Sequence, residues 1–182
     1  MKRACVLLAN GCEEVEAVTP IDYLRRAGVE VVSAGTTGRD ILGSRGIALG
    51  ADAAFDDIDD ETFDCVVVPG GSKGAEALAA DADVVAFIQR HAAGGAVIGA
   101  ICAAPAVVLG QACGLLGGRR FTCYPGLERL APEGRFQPDR VIIDGRLVSA
   151  RAAGCAGEFA EALAAVLMGD EAAARLRESV LL

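Results

Sequence analysis

The sequence has very few of the residues that commonly bind metal ions or nucleic acids. Among its 182 residues there is a single histidine, and only two of the 17 basic residues are lysines. One histidine and no clustered Cys/His spacing argue against a zinc or iron–sulfur site. The net charge is −8 at pH 7 and the basic residues form no stripe, which argues against nucleic acid or an anionic membrane as the main partner. We therefore expect a small molecule or a protein as the partner.

Long apolar runs and paired cysteine motifs are also missing. No window reaches about 18 uninterrupted apolar residues, and the start, M-K-R-A-C-V-L-L-A-N-G-C-E-E, becomes acidic too early for a signal peptide. We therefore expect a cytoplasmic protein. The chain has seven cysteines, which is an odd number, and no two of them form a C-x-x-C pair. We therefore expect reduced thiols. The length and the apolar fraction of 53% predict a single domain over residues 1–182.

Short apolar runs alternate with helical patterns along the whole chain. Runs at residues 3–9, 29–34, 65–68 and 96–101 are apolar on both faces, which is typical of buried parallel strands. Helical patterns cover residues 12–27, 74–80, 82–92, 103–112, 157–168 and 170–177, with a kink or irregular turn expected near Val18 because Pro20 removes one hydrogen bond. Residues 41–54 suggest a hairpin with Ser44-Arg45-Gly46 at its tip, and Asp144-Gly145 a two-residue turn. The pattern predicts an α/β fold, a three-layer doubly wound sandwich with a mainly parallel sheet.

Cys102 is the most informative single residue. The apolar strand before it passes without a spacer into small residues, a proline and an apolar helix, in the string G-A-I-C-A-A-P-A-V-V-L. Such a corner predicts a strained backbone that points the side chain toward the helix N-terminus. The positive end of that helix is expected to lower the pKa of the thiol and make it nucleophilic or oxidisable.

Other candidate site residues follow the ends of the first and third apolar runs. In doubly wound folds ligands bind at the carboxyl ends of the strands, where Asn10-Gly11, Pro69-Gly70-Gly71 and Cys102 fall. The backbone N–H groups of Gly71 and Ala103 are candidates to bind a substrate oxygen. For Gly70-Gly71 alone, an ordinary strand-to-helix turn with no role in binding is an equally favoured interpretation.

The proton partner of Cys102 is expected to be a carboxyl. His91 lies near the end of a helix and before the wrong end of the next strand, so we expect it at the surface or in a helix cap. Glu13 and Glu14 are explained by the favourable charge of a helix N-terminus. Glu16 stands among apolar residues and before Pro20, so we expect it to point inward, where burial and a neighbouring thiolate raise its pKa.

The remaining cysteines carry weaker signals. Cys5 and Cys65 lie inside apolar strands and are expected to be inert core residues. Cys12 follows a strand end and Cys123 lies in the loop T-C-Y-P, so a redox role stays open for both. Cys113 and Cys155 lie near helix ends and carry no specific signal.

Four motifs in order resemble the ThiJ/PfpI superfamily, and most closely its branch of the Parkinson's-associated protein deglycase, the glutathione-independent glyoxalases and their small bacterial relatives. They are L-A-N-G-C-E-E-V-E-A-V-T-P-I-D, D-C-V-V-V-P-G-G, A-I-C-A-A-P and G-E-F-A-E-A-L, and the resemblance covers essentially the whole chain. It implies a flavodoxin-like sandwich, usually a homodimer, that needs no cofactor. It also implies that Cys102 is the nucleophile, that Glu16 is a protonated carboxyl hydrogen-bonded to it, and that Gly71 and Ala103 supply backbone donors.

The resemblance implies several activities. They are the conversion of a small α-oxoaldehyde such as methylglyoxal to a hydroxy acid such as lactate, deglycation of glycated adducts, oxidative-stress sensing or chaperone action through oxidation of Cys102, and, in distant members, peptide or amide cleavage. The glyoxalase or deglycase reaction is the leading hypothesis and the sensor is its alternative. Peptidase or amidase activity is less favoured, because Tyr124 stands where a histidine is often found.

Four residues are expected around the substrate. Gly70 and Tyr124 are assigned to the pocket, and Arg45 matches a family arginine near the pocket and the dimer boundary. Arg151 is kept in the string A-R-A-A-G-C, although the loop around it departs from the S-R-G-P-G-T usual in the family.

Overall fold

A seven-stranded sheet forms the centre of the protein, for which a computed structural model describes residues 1–182. The sheet order is β10-β11-β7-β6-β1-β2-β5, and two short two-stranded sheets pair β3 with β4 and β8 with β9. Every pair in the central sheet is parallel except β10 with β11. The strands are β1 (Arg3–Leu8), β2 (Glu30–Gly35), β3 (Asp40–Leu42), β4 (Ala48–Gly50), β5 (Ala53–Ala54), β6 (Cys65–Val68), β7 (Val97–Ile101), β8 (Arg120–Phe121), β9 (Arg135–Phe136), β10 (Val141–Asp144) and β11 (Leu147–Ala150).

Helices cover both faces of this sheet. The α-helices are α1 (Glu14–Arg26), α2 (Ser72–Ala80), α3 (Ala82–Ala93), α4 (Ala156–Met168) and α5 (Asp170–Val180). Helices α1, α4 and α5 pack together on one face, while α2, α3 and a π-helix at Pro105–Ala112 cover the other. The predicted three-layer sandwich with a mainly parallel sheet is thereby confirmed. No helix of the chain has the length and apolar character needed to cross a membrane.

The strands are apolar on both faces because each face has its own core. In β1, Cys5 and Leu7 join the core beneath α2 and α3, whereas the alternate residues Val6 and Leu8 join the core beneath α1 and α4. This follows from the two-residue period of side chains along a strand. All four side chains are at most 1% exposed, so a continuous apolar run is what the position requires.

The segment after Cys102 departs from the prediction in its helix type. Residues 103–112 were expected to be a regular helix, but Pro105–Ala112 is a π-helix, in which hydrogen bonds span five residues instead of four. The N–H of Cys113, for example, donates to the carbonyl of Val108 at 2.9 Å. Helix α1 also departs from the prediction: a kink or irregular turn was expected near Val18, but the α-helix continues through Pro20 without a break.

His91 corrects another expectation. It is buried, not at the surface: its Nε2 accepts the N–H of Phe63 at 3.1 Å, and its Nδ1 donates to the carbonyl of Phe87 at 2.8 Å. Burial lowers the pKa of His91. Phe63 precedes β6 and Cys102 follows β7, so the histidine lies at the opposite end of the sheet from that cysteine, as the sequence indicated.

Gly99 allows α4 to approach β7 closely. A Cβ atom at this position would lie 2.7 Å from Cδ2 of Leu163 and 3.1 Å from Cζ of Phe159, both on α4. We predict that Gly99→Ala lowers the free energy of unfolding by about 1–3 kcal/mol, because the packed core must shift to admit the methyl group. Gly50→Ala, where the new methyl meets nothing within 4 Å, is the control and is expected to stay within about 0.5 kcal/mol of the wild type. Urea unfolding of the three proteins measures this, and equal stabilities would contradict the packing described here.

Candidate functional site

The carboxyl ends of β1, β6 and β7 open into one cavity of about 530 Å³. Parallel strands bring these ends to the same edge of the sheet, as the sequence indicated. Seven of the residues singled out from the sequence line the cavity: Gly11, Glu16, Arg45, Gly71, Cys102, Ala103 and Tyr124.

Cys102 occupies a left-handed backbone conformation, with φ of +64°. Residues other than glycine rarely adopt it, and the expected strain at this corner is confirmed. Two hydrogen bonds hold the corner: the N–H of Cys102 donates to the carbonyl of Ala150 at 2.9 Å, and the N–H of Tyr124 donates to the carbonyl of Cys102 at 2.8 Å. The second bond also brings the Tyr124 loop to the cavity.

The Glu16 side chain points inward from the first turn of α1 and has no exposed surface. Its Oε2 accepts the N–H of Gly70 at 3.0 Å. Its Oε1 is buried and accepts no hydrogen bond from a well-aligned donor, while the side chain that interacts with the carboxyl is the Cys102 thiol. The carboxyl therefore has one oxygen satisfied by the backbone and one oxygen free to carry a proton.

Gly70 lies next to both Glu16 and Cys102, and there is no room for a side chain at this position. A Cβ atom on Gly70 would lie 2.5 Å from Oε2 of Glu16 and 2.6 Å from Cβ of Cys102. Glycine is needed here because the Glu16 carboxyl and the Cys102 side chain both pack directly against the backbone of residue 70. Gly70 itself does not line the cavity but lies behind its wall, which corrects its assignment to the substrate pocket.

The protonation of the pair is governed by burial. Burial raises the pKa of Glu16 to about 7, and the nearby Cys102 thiol and the Gly70 N–H offset this effect only in part. Burial and then the Glu16 charge raise the pKa of Cys102 to about 12, and these effects outweigh the N–H groups of Gly71 and Ala103. The expectation of a lowered thiol pKa is therefore wrong, because desolvation and a like charge exceed the effect of the helix N-terminus. Two adjacent buried groups cannot both be charged near neutral pH, so the pair retains at least one proton.

The N–H groups of Gly71 and Ala103 both face the sulfur of Cys102. Gly71 has φ of +84°, and a Cβ there would lie 2.4 Å from the carbonyl oxygen of Gly11. Only glycine fits this turn. The thiol is thus close to a carboxyl and to two backbone donors.

The β3–β4 hairpin supplies the outer wall of the cavity through Ser44 and Arg45. Glu14 holds its tip: Oε1 accepts the N–H of Arg45 at 2.7 Å and the N–H of Ile47 at 3.3 Å. Ser44 Oγ donates to Oε2 of Glu13 at 2.9 Å. The two glutamates therefore do more than favour a helix N-terminus, because they also tie α1 to the hairpin.

Arg151 and two cysteines lie elsewhere than expected. Arg151 lines a second, separate cavity, and its Nη1 donates to the carbonyl of Pro138 at 3.5 Å, so its assignment to the pocket around Cys102 is wrong. Cys12 and Cys123 are fully buried, which removes Cys12 as an accessible thiol. Each belongs to one of the two cores, most of whose other members are distant in the sequence.

Several lining residues were not assigned to the site from the sequence: Glu13, Ser44, Ser72, Lys73, Leu127, Ala152 and Ala153. For Ser72 and Lys73 there was a usable signal, since they directly follow Gly71 and open α2. No three His, Cys, Asp or Glu side chains of the chain are grouped so that they could hold a metal ion.

Comparison with known proteins finds relatives that are 31–36% identical to this chain. Arabidopsis thaliana Protein DJ-1 homolog B is 36% identical over 97% of this chain, which spans only 40% of the length of that relative. Caenorhabditis elegans glutathione-independent glyoxalase DJR-1.2 is 32% identical, with 93% of this chain and 91% of the relative covered. Pyrococcus abyssi Deglycase PYRAB04690 is 31% identical, with 84% and 91% covered.

A solved structure and a family model agree with these relatives. The structure of oxidized Toxoplasma gondii DJ-1 is 38% identical and superposes with a TM-score of 0.96, covering 100% of this chain and 98% of that one. The model of the DJ-1/PfpI family matches residues 2–166. With its fold and the cavity around Cys102, this chain belongs to the DJ-1/PfpI family.

Proposed function

We propose that this protein is a glutathione-independent glyoxalase that converts small α-oxoaldehydes to α-hydroxy acids, with Cys102 as nucleophile and Glu16 as proton carrier. The observation that carries the proposal is the buried Glu16 carboxyl beside Cys102, with Oε2 bonded to Gly70 and Oε1 without a donor. An oxygen in that position is suited to hold a proton and to move it to or from the sulfur or a substrate. The names of the worm and archaeal relatives support the same class of chemistry.

The reaction follows from the positions of the groups. The sulfur of Cys102 adds to the aldehyde carbon, and Glu16 gives its proton to the new hydroxyl oxygen. The N–H groups of Gly71 and Ala103 are the candidate donors to that oxygen as its charge develops. Glu16, now a carboxylate, takes the proton from the former aldehyde carbon and returns it to the neighbouring carbon. The hydroxyl proton passes to the oxygen on that neighbouring carbon, which leaves a thioester and a new hydroxyl group. Water then cleaves the carbon–sulfur bond and releases the hydroxy acid and the thiol.

Deglycation belongs to the same proposal. An adduct between an oxoaldehyde and an amine or thiol presents the same carbon atoms to Cys102, and one relative is named a deglycase. The cavity opens to solvent beside the exposed Tyr124, so an adduct on a larger molecule could reach the sulfur.

A homodimer is also proposed. Val15 and Val18 on α1 and Ile47 on the hairpin are exposed apolar side chains, and Glu14 bonds α1 to the backbone of Ile47. Exposed apolar groups that lie together are typical of an interface between proteins, and the family resemblance implies a second copy of the chain there.

We predict that Cys102→Ser lowers the rate of lactate formation from methylglyoxal, without glutathione, by more than about a hundredfold, because a serine hydroxyl is a much weaker nucleophile than a thiolate. Cys113→Ser replaces a buried cysteine at the far end of the π-helix and is the matched control, expected to retain the wild-type rate. Lactate is measured with the purified proteins. Equal rates for the wild type and Cys102→Ser would exclude Cys102 as the nucleophile.

The pH dependence of the thiol tests its coupling to Glu16. We predict that the rate of Cys102 alkylation by iodoacetamide rises with pH through an apparent pKa of about 7 and then levels off, because loss of the first proton lets the pair exist as thiolate and carboxylic acid. In Glu16→Gln this step should disappear, since the amide has no proton to lose in this range. Peptide mass spectrometry quantifies the alkylated fraction. A step near pH 7 that persists in Glu16→Gln would show that another group controls the thiol.

A second candidate function is oxidation sensing through Cys102. The observation that favours it is exposure: six of the seven cysteines are buried, and Cys102 alone is partly open to solvent. Its sulfur also faces two N–H groups that can bind the oxygens of a sulfinate. The similar Toxoplasma gondii structure is described as oxidized.

Graded peroxide treatment tests this second function. We predict that intact mass increases by two oxygen atoms per chain before any further oxidation, and that peptide mapping places both on Cys102. Cys102→Ala should gain no oxygen under the same conditions. Oxygen spread over several cysteines at low peroxide would count against sensing.

A further inference from the structure

The cavity around Cys102 is larger than the smallest substrate needs. A three-carbon oxoaldehyde occupies roughly the space of three water molecules, about 90 Å³, whereas the cavity measures about 530 Å³. Cavities of this size usually bind molecules of many more atoms. The lining beyond Cys102 and Glu16 should therefore contact further parts of a substrate.

Charge is distributed unevenly within the lining. Glu16, which is fully buried, and the sulfur of Cys102, which is partly buried, lie at the bottom of the cavity. Lys73 and Arg45 are exposed residues at its rim. Arg45 has one ion-pair contact, 3.8 Å from Nη2 to Oε2 of Glu13. Lys73 takes part in no ion pair of the chain, and the other lysine, Lys2, is paired with Asp64 at 2.7 Å.

The position of Lys73 is electrostatically unfavourable for the protein alone. It is the second residue of α2, whose first turn contains no acidic residue, and a cation there is repelled by the positive end of the helix. Its Cβ lies next to Gly11, another residue of the cavity lining, since a Cβ built on Gly11 would lie only 2.7 Å from Cβ of Lys73. An unpaired ammonium group at the rim is free to bind an anion that enters the cavity.

We propose that Lys73, assisted by Arg45, makes this enzyme prefer α-oxoaldehydes that carry a carboxylate on a short aliphatic spacer. The oxoaldehyde end would lie at Cys102 and Glu16, and the carboxylate would lie at the rim, away from the Glu16 charge. This inference rests on the proposed glyoxalase function and names its substrate class. Lys73 acts as a specificity residue and takes no part in the bond changes.

The reaction is balanced for such a substrate. With 4,5-dioxopentanoate, a carbon–sulfur bond forms at the aldehyde carbon, and a proton passes through Glu16 from that carbon to the ketone carbon. The hydroxyl proton passes to the ketone oxygen, which becomes the new hydroxyl group. The former aldehyde carbon is oxidised and the former ketone carbon is reduced, so no external oxidant is needed. Addition of one water then breaks the carbon–sulfur bond and yields 2-hydroxyglutarate and the free thiol.

The test compares a charged with a neutral substrate of equal chain length. The ratio of kcat/KM for 4,5-dioxopentanoate to that for 2-oxopentanal is measured in the wild type, Lys73→Met, Lys73→Arg and the control Lys2→Met. We expect the ratio to fall about tenfold in Lys73→Met, a loss typical of one charge-assisted contact in a partly open site. Lys73→Arg should keep most of the preference and Lys2→Met all of it. High salt should reduce the wild-type ratio as well.

Binding of the products separates this inference from the proposed function. Calorimetry compares 2-hydroxyglutarate with 2-hydroxypentanoate on the wild type and on Lys73→Met. If neither aldehyde is converted but 2-hydroxyglutarate binds in a Lys73-dependent manner, the glyoxalase function is wrong and anion recognition holds. If both aldehydes are converted and Lys73→Met leaves the ratio and the binding unchanged, anion recognition by Lys73 is wrong and the glyoxalase function holds.

Discussion

A carboxyl and a thiol buried side by side set the main constraint on this structure. Glu16 has no exposed surface and Cys102 little, so the water that would stabilise two negative charges is missing. Burial raises the pKa of both groups, and the charge of Glu16 raises the pKa of Cys102 further. A proton is therefore retained between them near neutral pH, and its position decides whether the sulfur can react. Gly70 is part of this constraint, because any larger residue would separate the two groups.

The backbone around Cys102 holds the sulfur in place. A left-handed conformation at a residue other than glycine costs on the order of 1–3 kcal/mol, and it persists here because β11 and the Tyr124 loop each hydrogen-bond to the corner. The strained corner points the thiol toward the N–H groups of Gly71 and Ala103. The parallel sheet thus fixes the cysteine, the carboxyl and the backbone donors at one edge, while the more exposed hairpin and α2 supply the charged rim.

Patterns carried by the local sequence predicted the fold and the centre of the site. Apolar runs such as Cys65–Val68 fit only a sheet covered on both faces, and Glu16 among apolar residues was expected to point inward. Features that depend on distant neighbours were missed. Arg151 follows a strand end, but its loop directs it to Pro138, and Cys12 is enclosed by residues far away in sequence. The thiol pKa was predicted in the wrong direction, because the helix N-terminus is visible in the sequence whereas the degree of desolvation is not.

The protonation of Glu16 can be observed directly. Carbon-13 NMR of protein labelled at the glutamate carboxyl carbons, with Glu16→Gln used to assign the signal, gives the pKa of this one group. A midpoint near 7, well above that of the exposed glutamates, is the predicted result and would place a protonated carboxyl beside Cys102 in slightly acidic solution. A midpoint near the ordinary glutamate value of about 4.3 would contradict it, because Glu16 would then be ionised throughout the neutral range and could not give a proton to the sulfur or the substrate.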